Sequence, residues 1–243
     1  MNKFTIYLIS DLHVGSDEIF TKKSKLLKHI IASNSIQSND VLVIAGDLTD
    51  QGTGKIPVLC CSCPNNINSS DQCDSFIKTV YSPLKTKIPN MLICHGNHDE
   101  SSNPSPIVEF IKNEYDATPQ GYYCRIINGV LFVVLGKYPS KDAIDFFETV
   151  RNVNKDKLPY IVIFHYQLDT QFGYDFWSGT EKETFLKYIK SVPNVITMLH
   201  GHIHLNYSGL FGGILTFCGS DLKGYYKITI DSGVVKEALS IQI

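Results

Sequence analysis

The sequence predicts an α/β fold in which two mixed β-sheets pack together as a sandwich flanked by helices. Three observations predict it. Short β-branched runs alternate with longer amphipathic segments in the first half; each of these early runs ends in a polar cluster; and an Asn-Gly pair joins two strand-like runs in the second half. The last feature argues against a purely parallel, doubly wound sheet.

Phe4–Ser10 reads as the first strand. Its apolar stretch resembles a short signal peptide, but Asp11 and His13 follow directly and no small-residue cleavage site appears, so a cytoplasmic protein is expected. Ile19–Ser33 carries Leu26, Leu27, Ile30 and Ile31 at helical spacing. Val41–Ala45 is the second strand, Asp71–Val80 a second helix ending near Pro83, and Met91–Cys94 the third strand. Tyr122–Ile127 and Val130–Leu135 flank Asn128-Gly129, a pair that tolerates the positive φ of a tight hairpin turn. A helix at Asp142–Val153, a strand at Tyr160–Phe164, a helix at Glu181–Lys190 and a strand at Val195–Leu199 follow, with strands and turns from Ile214 onward.

Residues 1–243 are read as one domain with a Cys/Asn/Ser-rich loop insertion at about 52–75. A hydrophobic fraction of 43% and a charged fraction of 19% are ordinary for a globular protein, and no apolar run approaches the roughly 20 residues of a membrane helix. A net charge of −2 gives no overall attraction to nucleic acid or to an acidic membrane. The seven cysteines, an odd number, fit a reducing compartment better than a paired secreted framework. Cys60, Cys61, Cys63 and Cys73 cluster without a C-x-x-C pair, which leaves zinc binding, a disulfide or free thiols open.

The chemistry-bearing residues fall where strands end. Asp11 and His13 lie two apart at the end of the first strand, where an extended chain points both to one side to grip one cation. Asp47 follows Ala45-Gly46 after the second strand, and its two carboxylate oxygens suit a bridge between two metals. Gly96-Asn97-His98-Asp99 follows the third strand and supplies a neutral oxygen, an imidazole and a carboxylate. His165 ends a further strand, and His202 and His204 follow Gly201 with the same two-apart spacing.

In this order, Asp11-x-His13, Gly46-Asp47-x-x-Asp50, Gly96-Asn97-His98-Asp99, His165 and Gly201-His202-x-His204 resemble the five signature motifs of calcineurin-like metallophosphoesterases, from Phe4 to about Ser220. The resemblance implies the αββα sandwich of that family and two divalent ions, manganese, iron, zinc or cobalt. One would be held by Asp11, His13, Asp47 and His204, the other by Asp47, Asn97, His165 and His202. It also implies attack on phosphorus by a hydroxide between the ions, contact of Asn97 and His98 with the substrate, protonation of the leaving oxygen by His98, and Asp99 orienting the His98 ring. Asp50 is expected to hydrogen-bond a metal-bound histidine; His95 and His200, beside the motifs, divide between pocket-lining and plain structural roles. The loop Gln167–Trp177, with Phe172, Tyr174, Phe176 and the sole tryptophan, is read either as a stacking surface for a base or as a packed aromatic cluster.

Departures from related subfamilies narrow the substrate. Serine/threonine phosphatases of the family carry arginines where this sequence has Gln51 and His95; purple acid phosphatases carry a tyrosine where it has Asp50; lipid A precursor hydrolases lack a histidine at the position of His98. What remains resembles the cyclic-nucleotide phosphodiesterase branch, whose second motif reads like Gly46-Asp47-Leu48-Thr49-Asp50. Two divalent ions, two aspartates and one hydroxide would leave about one positive charge, which a phosphodiester monoanion neutralises and a monoester dianion exceeds. The expected partner is a small nucleotide-like phosphate ester. Phosphomonoesterase or protein phosphatase, nuclease of the same family, and non-catalytic metal-binding scaffold are the alternatives; the lysines are spread along the chain and reveal no groove for nucleic acid, and oligomeric state is left open.

Overall fold

A computed structural model describes residues 3–15, 19–33, 36–50, 69–100, 104–169, 176–221 and 223–243. Two sheets carry the architecture. The five-stranded sheet has the order β11-β10-β1-β2-β3, and the six-stranded sheet the order β4-β5-β6-β7-β9-β8. In the first, β1 (Phe4–Ile9), β2 (Val41–Ala45) and β3 (Asn90–Cys94) are parallel, with β10 (Gly224–Asp231) antiparallel to β1 and β11 (Val234–Gln242) on the edge. In the second, β4 (Tyr123–Ile127) and β5 (Val130–Val134) form the hairpin, β6 (Tyr160–Ile163), β7 (Val195–His200) and β9 (Ile214–Cys218) continue in parallel, and β8 (Tyr207–Phe211) closes the edge. Asn128 and Gly129 both have positive φ, 54° and 78°, as the hairpin turn requires.

Alternation along the strands sorts the core into two layers. Phe132, Val134, Ile161, Ile163, Leu199 and Phe217 face the five-stranded sheet and join Phe4, Ile6 and Leu8 in the inter-sheet core. Leu131, Val133, Val162, Phe164 and Met198 point the other way, onto Phe147 of α5 (Lys141–Asn154) and Phe185 and Ile189 of α6 (Glu181–Ser191). On the far face of the five-stranded sheet lie α1 (Ile19–Ala32) and a helical run formed by α2 (Ser69–Phe76), a π-helical turn (Ile77–Tyr81) and α3 (Ser82–Lys87).

Four elements differ from expectation, among them β8, which precedes the stretch from Ile214 where the last strands are expected. The helix expected to end near Pro83 continues to Lys87, because Pro83 occupies the first turn of α3, where its missing N–H is not needed, after the π-helical turn has reset the ladder. The expected insertion runs to about 75, but from Ser69 the chain is helical, and 51–68 lie outside the described residues. α4 (Pro106–Tyr115) was not expected, although its start is marked: Ser105 caps it by accepting from Val108 N at 3.3 Å, and proline stands at its first position.

Candidate metal centre

The carboxyl ends of β1, β2, β3, β6 and β7 meet at one edge of the sandwich, where parallel strands release their chains together. The first strand stops at Ile9, so Asp11 and His13 do not share a side by strand alternation, as the spacing predicts. Both are left-handed, φ 53° and 41°, and so are Asp47 (49°), His202 (81°) and His204 (56°). Left-handed backbone is unfavourable for side chains of this kind and persists only when neighbours enforce it. Here the loop after β1 is laced to the loop after β2: Asp11 N donates to Gly46 O, His13 N to Asp47 O and Val14 N to Leu48 O, each at 3.0 Å. Turning each residue out of the ladder directs its side chain into the space between loops.

Two glycines are required by close approach. A Cβ on Gly46, φ 91°, would lie 2.3 Å from His165 Nδ1, and one on Gly96 would lie 2.2 Å from Asp47 Oδ1. They let the ends of β2 and β3 pack directly on candidate ligands.

Asp47 stands at the centre. Its Oδ1 accepts from His98 N at 2.9 Å, while Oδ2 is 3.2 Å from His165 Nε2 and 3.8 Å from His13 Nε2. On one side, His13 Nε2 and His204 Nε2 are 3.2 Å apart, and His204 Nε2 is 3.4 Å from Asp11 Oδ1. On the other, His165 Nε2 is 3.1 Å from Asn97 Oδ1 and 3.2 Å from His202 Nδ1. The ligand atoms of Asp11, His13 and His204 lie within 4.8 Å of one another, as do those of Asp47, His165 and His202, and those of His13, Asp47 and His98. The structure thus brings together every residue expected to hold the two ions, in two groups flanking Asp47.

The donor set fits divalent cations. Asp11 and Asp47 are fully buried, a costly place for two carboxylates without a nearby cation. Burial works against the charge of Asp47, but the imidazoles around it, His165 first, hold its carboxyl well below the usual range. Burial likewise opposes the charge of Asp11, and its contact with His204 and the field of His165 keep it low. Burial disfavours a proton on His165, yet Asp47 and Asp11 raise its pKa to about 9; burial and the neighbouring His165 push His202 down to about 4. Asp11 Oδ1 has no hydrogen-bond partner among the described residues, and facing ring nitrogens 3.2 Å apart share at most one proton. A cation between them uses lone pairs that hydrogen bonding leaves idle.

Contacts around these side chains sort the remaining candidates. Asp99 does not orient the His98 ring. Its buried carboxylate accepts from Leu48 N (3.1 Å), Thr49 N and Thr49 Oγ1 (both 2.9 Å) and Gly96 N (2.8 Å), stapling the loops after β2 and β3 together. Burial, with the charge of Asp47 adding to it, raises its pKa against these donors. The His98 ring is held instead through Nδ1, 2.5 Å from the Asp50 carbonyl oxygen, and the Asp50 carboxylate lies 3.7 Å from His13 Nδ1. His95 is buried against Gly121 and Gly136 with Nε2 2.8 Å from Glu100 Oε1. His200 stacks on Phe164 at 18°, centroids 5.6 Å apart, and burial lowers its pKa to about 4; its surroundings are those of a packed core residue.

The aromatic loop divides. Trp177 is buried, donates from Nε1 to Gln167 O at 2.8 Å and packs on Phe185, whereas Phe176 is 47% exposed and sets its ring edge-on to His202 at 4.3 Å. Phe172, Tyr174 and Gln51 lie outside the described residues, as do Cys60, Cys61 and Cys63; Cys73 is a free, buried thiol. One candidate that sequence reasoning missed is Asp221, 3.8 Å from His204 Nδ1; it sits beside the Gly219-Ser220 turn, outside every motif.

A buried carboxylate shared by two imidazole-rich groups defines the class of a dinuclear metal hydrolase. The chain belongs to the calcineurin-like phosphoesterase family, whose model matches residues 4–206. That family acts on phosphate esters with two divalent metals, so the chain is a metal-dependent hydrolase of that kind. No curated protein matches it. Among solved structures it is similar to a dimetal phosphatase from Danio rerio, at 14% identity and TM-score 0.63, covering 98% of both chains. It is also similar to GAP50, the anchor in the inner membrane complex of Plasmodium, at 14% identity and TM-score 0.62, covering 100% of this chain and 90% of that one. A third similar structure is the phosphopantetheinyl hydrolase PptH from Mycobacterium tuberculosis, at 14% identity and TM-score 0.50, covering 90% of each. At these identities the likeness is one of fold. Among the described residues, no helix is long and apolar enough to cross a membrane.

Proposed function

We propose that the protein is a phosphodiesterase acting on a nucleotide-type diester in the cytoplasm, with manganese a competent metal. One observation carries the preference for a diester: neither arginine of the chain serves the cluster. Arg125 donates to Cys124 O and Tyr115 O at the β4 edge, and Arg151 is paired with Glu148 at 2.9 Å and Asp156 at 3.0 Å beside α5. Lys137, whose carbonyl oxygen accepts from His165 N at 3.1 Å, has its ammonium paired with Glu100. A phosphomonoester dianion would thus meet no guanidinium clamp.

Two divalent ions bound here would supply Lewis acidity to the phosphoryl oxygens and to the water that attacks. The residues do the rest. Asp47 and Asp11 would offset half the charge of two such ions and an attacking hydroxide one more, leaving about one positive charge for a singly charged ester. His98 donates Nδ1–H to the Asp50 carbonyl, so the proton it delivers to the leaving oxygen is the one on Nε2. Asn97 turns its amide oxygen to the His165 side, fixing the amide beside the substrate phosphate. The exposed Phe176 ring beside His202 gives a nucleobase a stacking surface.

Metal-free protein restored with manganese tests this. Bis-p-nitrophenyl phosphate is expected to turn over faster than p-nitrophenyl phosphate, and much faster monoester turnover would reverse the assignment. Among natural candidates, cyclic nucleotides and dinucleotides should outcompete phosphopeptides.

A further inference from the structure

The two imidazoles grouped with Asp11 each have a carboxylate behind them. His13 faces the cluster through Nε2, and its Nδ1 lies 3.7 Å from Asp50 Oδ1. His204 repeats the arrangement, with Nε2 3.4 Å from Asp11 Oδ1 and Nδ1 3.8 Å from Asp221 Oδ2. Across Asp47 the support is different. His165 Nδ1 meets a neutral acceptor, the Ala45 carbonyl at 2.8 Å, and His202 is flanked by the rings of Tyr166 at 4.7 Å and Phe176 at 4.3 Å.

We propose that Asp221 is a positioning residue for His204 and that, together with Asp50, it makes the Asp11–His13–His204 position the tighter of the two cation positions. The inference rests on the dinuclear reading above. An anion at the remote ring nitrogen keeps the proton on Nδ1, leaves the Nε2 lone pair facing the cation, and raises the basicity of that lone pair; a neutral carbonyl fixes the tautomer but adds less charge. At 3.8 Å the Asp221 contact is an ion-pair distance and longer than a hydrogen bond, so its influence is electrostatic. Asp221 Oδ1 is buried and has no hydrogen-bond partner among the described residues, so one oxygen is uncommitted. Its other oxygen is contested by Lys223 Nζ, 3.2 Å away on the solvent side.

Metal-free wild type, Asp221→Asn and Asp221→Glu are titrated with manganese, reading ions bound per chain, the affinity of each, and the electron paramagnetic resonance spectrum, which separates coupled from isolated ions. Asp221→Asn should weaken one ion by roughly ten- to a hundredfold, the scale of losing such a supporting carboxylate, and leave the other unchanged, so that a range of concentration shows an isolated ion. Asp221→Glu should restore the coupled spectrum. Lys223→Met, an exposed change that does not threaten folding, should tighten the same ion by releasing its competitor. Two ions retained with wild-type affinity in Asp221→Asn, equal loss of both, or no effect of Lys223→Met would overturn the role of Asp221 alone. Wild type that takes up no manganese would sink the dinuclear reading itself and this inference with it.

Discussion

The two sheets make unequal contributions to the cluster. The five-stranded sheet delivers Asp11, His13, Asp47, Asn97 and His98, including both carboxylates; the six-stranded sheet delivers His165, His202 and His204, imidazoles only. Asp11, Asp47 and the supporting Asp99 are fully buried and fixed by backbone donors, whereas the His204 side chain is 42% exposed and His202 is half-buried beside Phe176. A carboxylate can be buried only where donors surround it, and interleaved loops supply these. A neutral imidazole needs far less, so it can stand at the open side where substrate enters.

The largest effect is expected at Asp47, the residue both groups share. Asp47→Asn removes the charge that compensates two buried cations and places an amide against His165. Activity should fall by at least about a thousandfold, with manganese uptake lost at both positions. Loss of only one ion, measured by metal analysis after dialysis, would show that the two groups are independent. His98→Ala is the next largest. It should cost about 10²–10⁴-fold in turnover of an ester with a poor leaving group while leaving metal content intact, and much less with p-nitrophenol, which needs little protonation. Unchanged turnover of a cyclic nucleotide would remove His98 from proton transfer.

Asp99→Asn tests the buried half without touching a candidate ligand. The carboxylate accepts four hydrogen bonds from two loops, and an amide nitrogen in its place would confront donors with a donor. We expect a loss of about 2–4 kcal/mol in urea unfolding of the metal-free protein. An effect below about 1 kcal/mol would mean that the left-handed loops hold themselves.

Much of this was legible in the sequence. The order of motifs, their places after strands and the Asn128-Gly129 hairpin all follow from local chemistry, because strand propensity, turn residues and ligand types are local properties. The reason that Asp11 and His13 converge was not legible. Two-residue spacing suggested strand alternation, but convergence comes from left-handed turns enforced by hydrogen bonds to a loop more than thirty residues away. The same limit explains Asp99: its position beside His98 suggests a dyad, while three of its four donors, Leu48 N, Thr49 N and Thr49 Oγ1, lie after a different strand. Asp221 carried no signal, since a lone aspartate near a turn is ordinary until the fold sets His204 against it. Asp50 is marked by its motif, but its carboxylate stands 3.7 Å from His13 Nδ1, farther than the hydrogen bond that the motif leads one to expect.

The smallest effect is expected at Glu100, at the rim where the buried half meets solvent. It pairs with His95 at 2.8 Å and with Lys137, whose carbonyl oxygen receives the His165 N–H, so it ties the loop after β3 to the strand end that presents His165. Partial burial opposes its charge, but His95 and Lys137 outweigh that and lower its pKa from 4.5 to about 2. A depressed carboxylate pKa stabilises the fold above the unfolded value, and the contribution disappears as pH falls from about 4.5 through about 2. Glu100→Gln should therefore cost stability at pH 6, about 1 kcal/mol after allowance for solvent screening, and the two proteins should converge toward pH 2. Urea midpoints measured from pH 6 to pH 2.5 read this directly. If the difference stayed constant across that range, the link between the two strand ends would be a packing contact rather than an ionic one, and the open half would owe nothing to charge beyond the cluster itself.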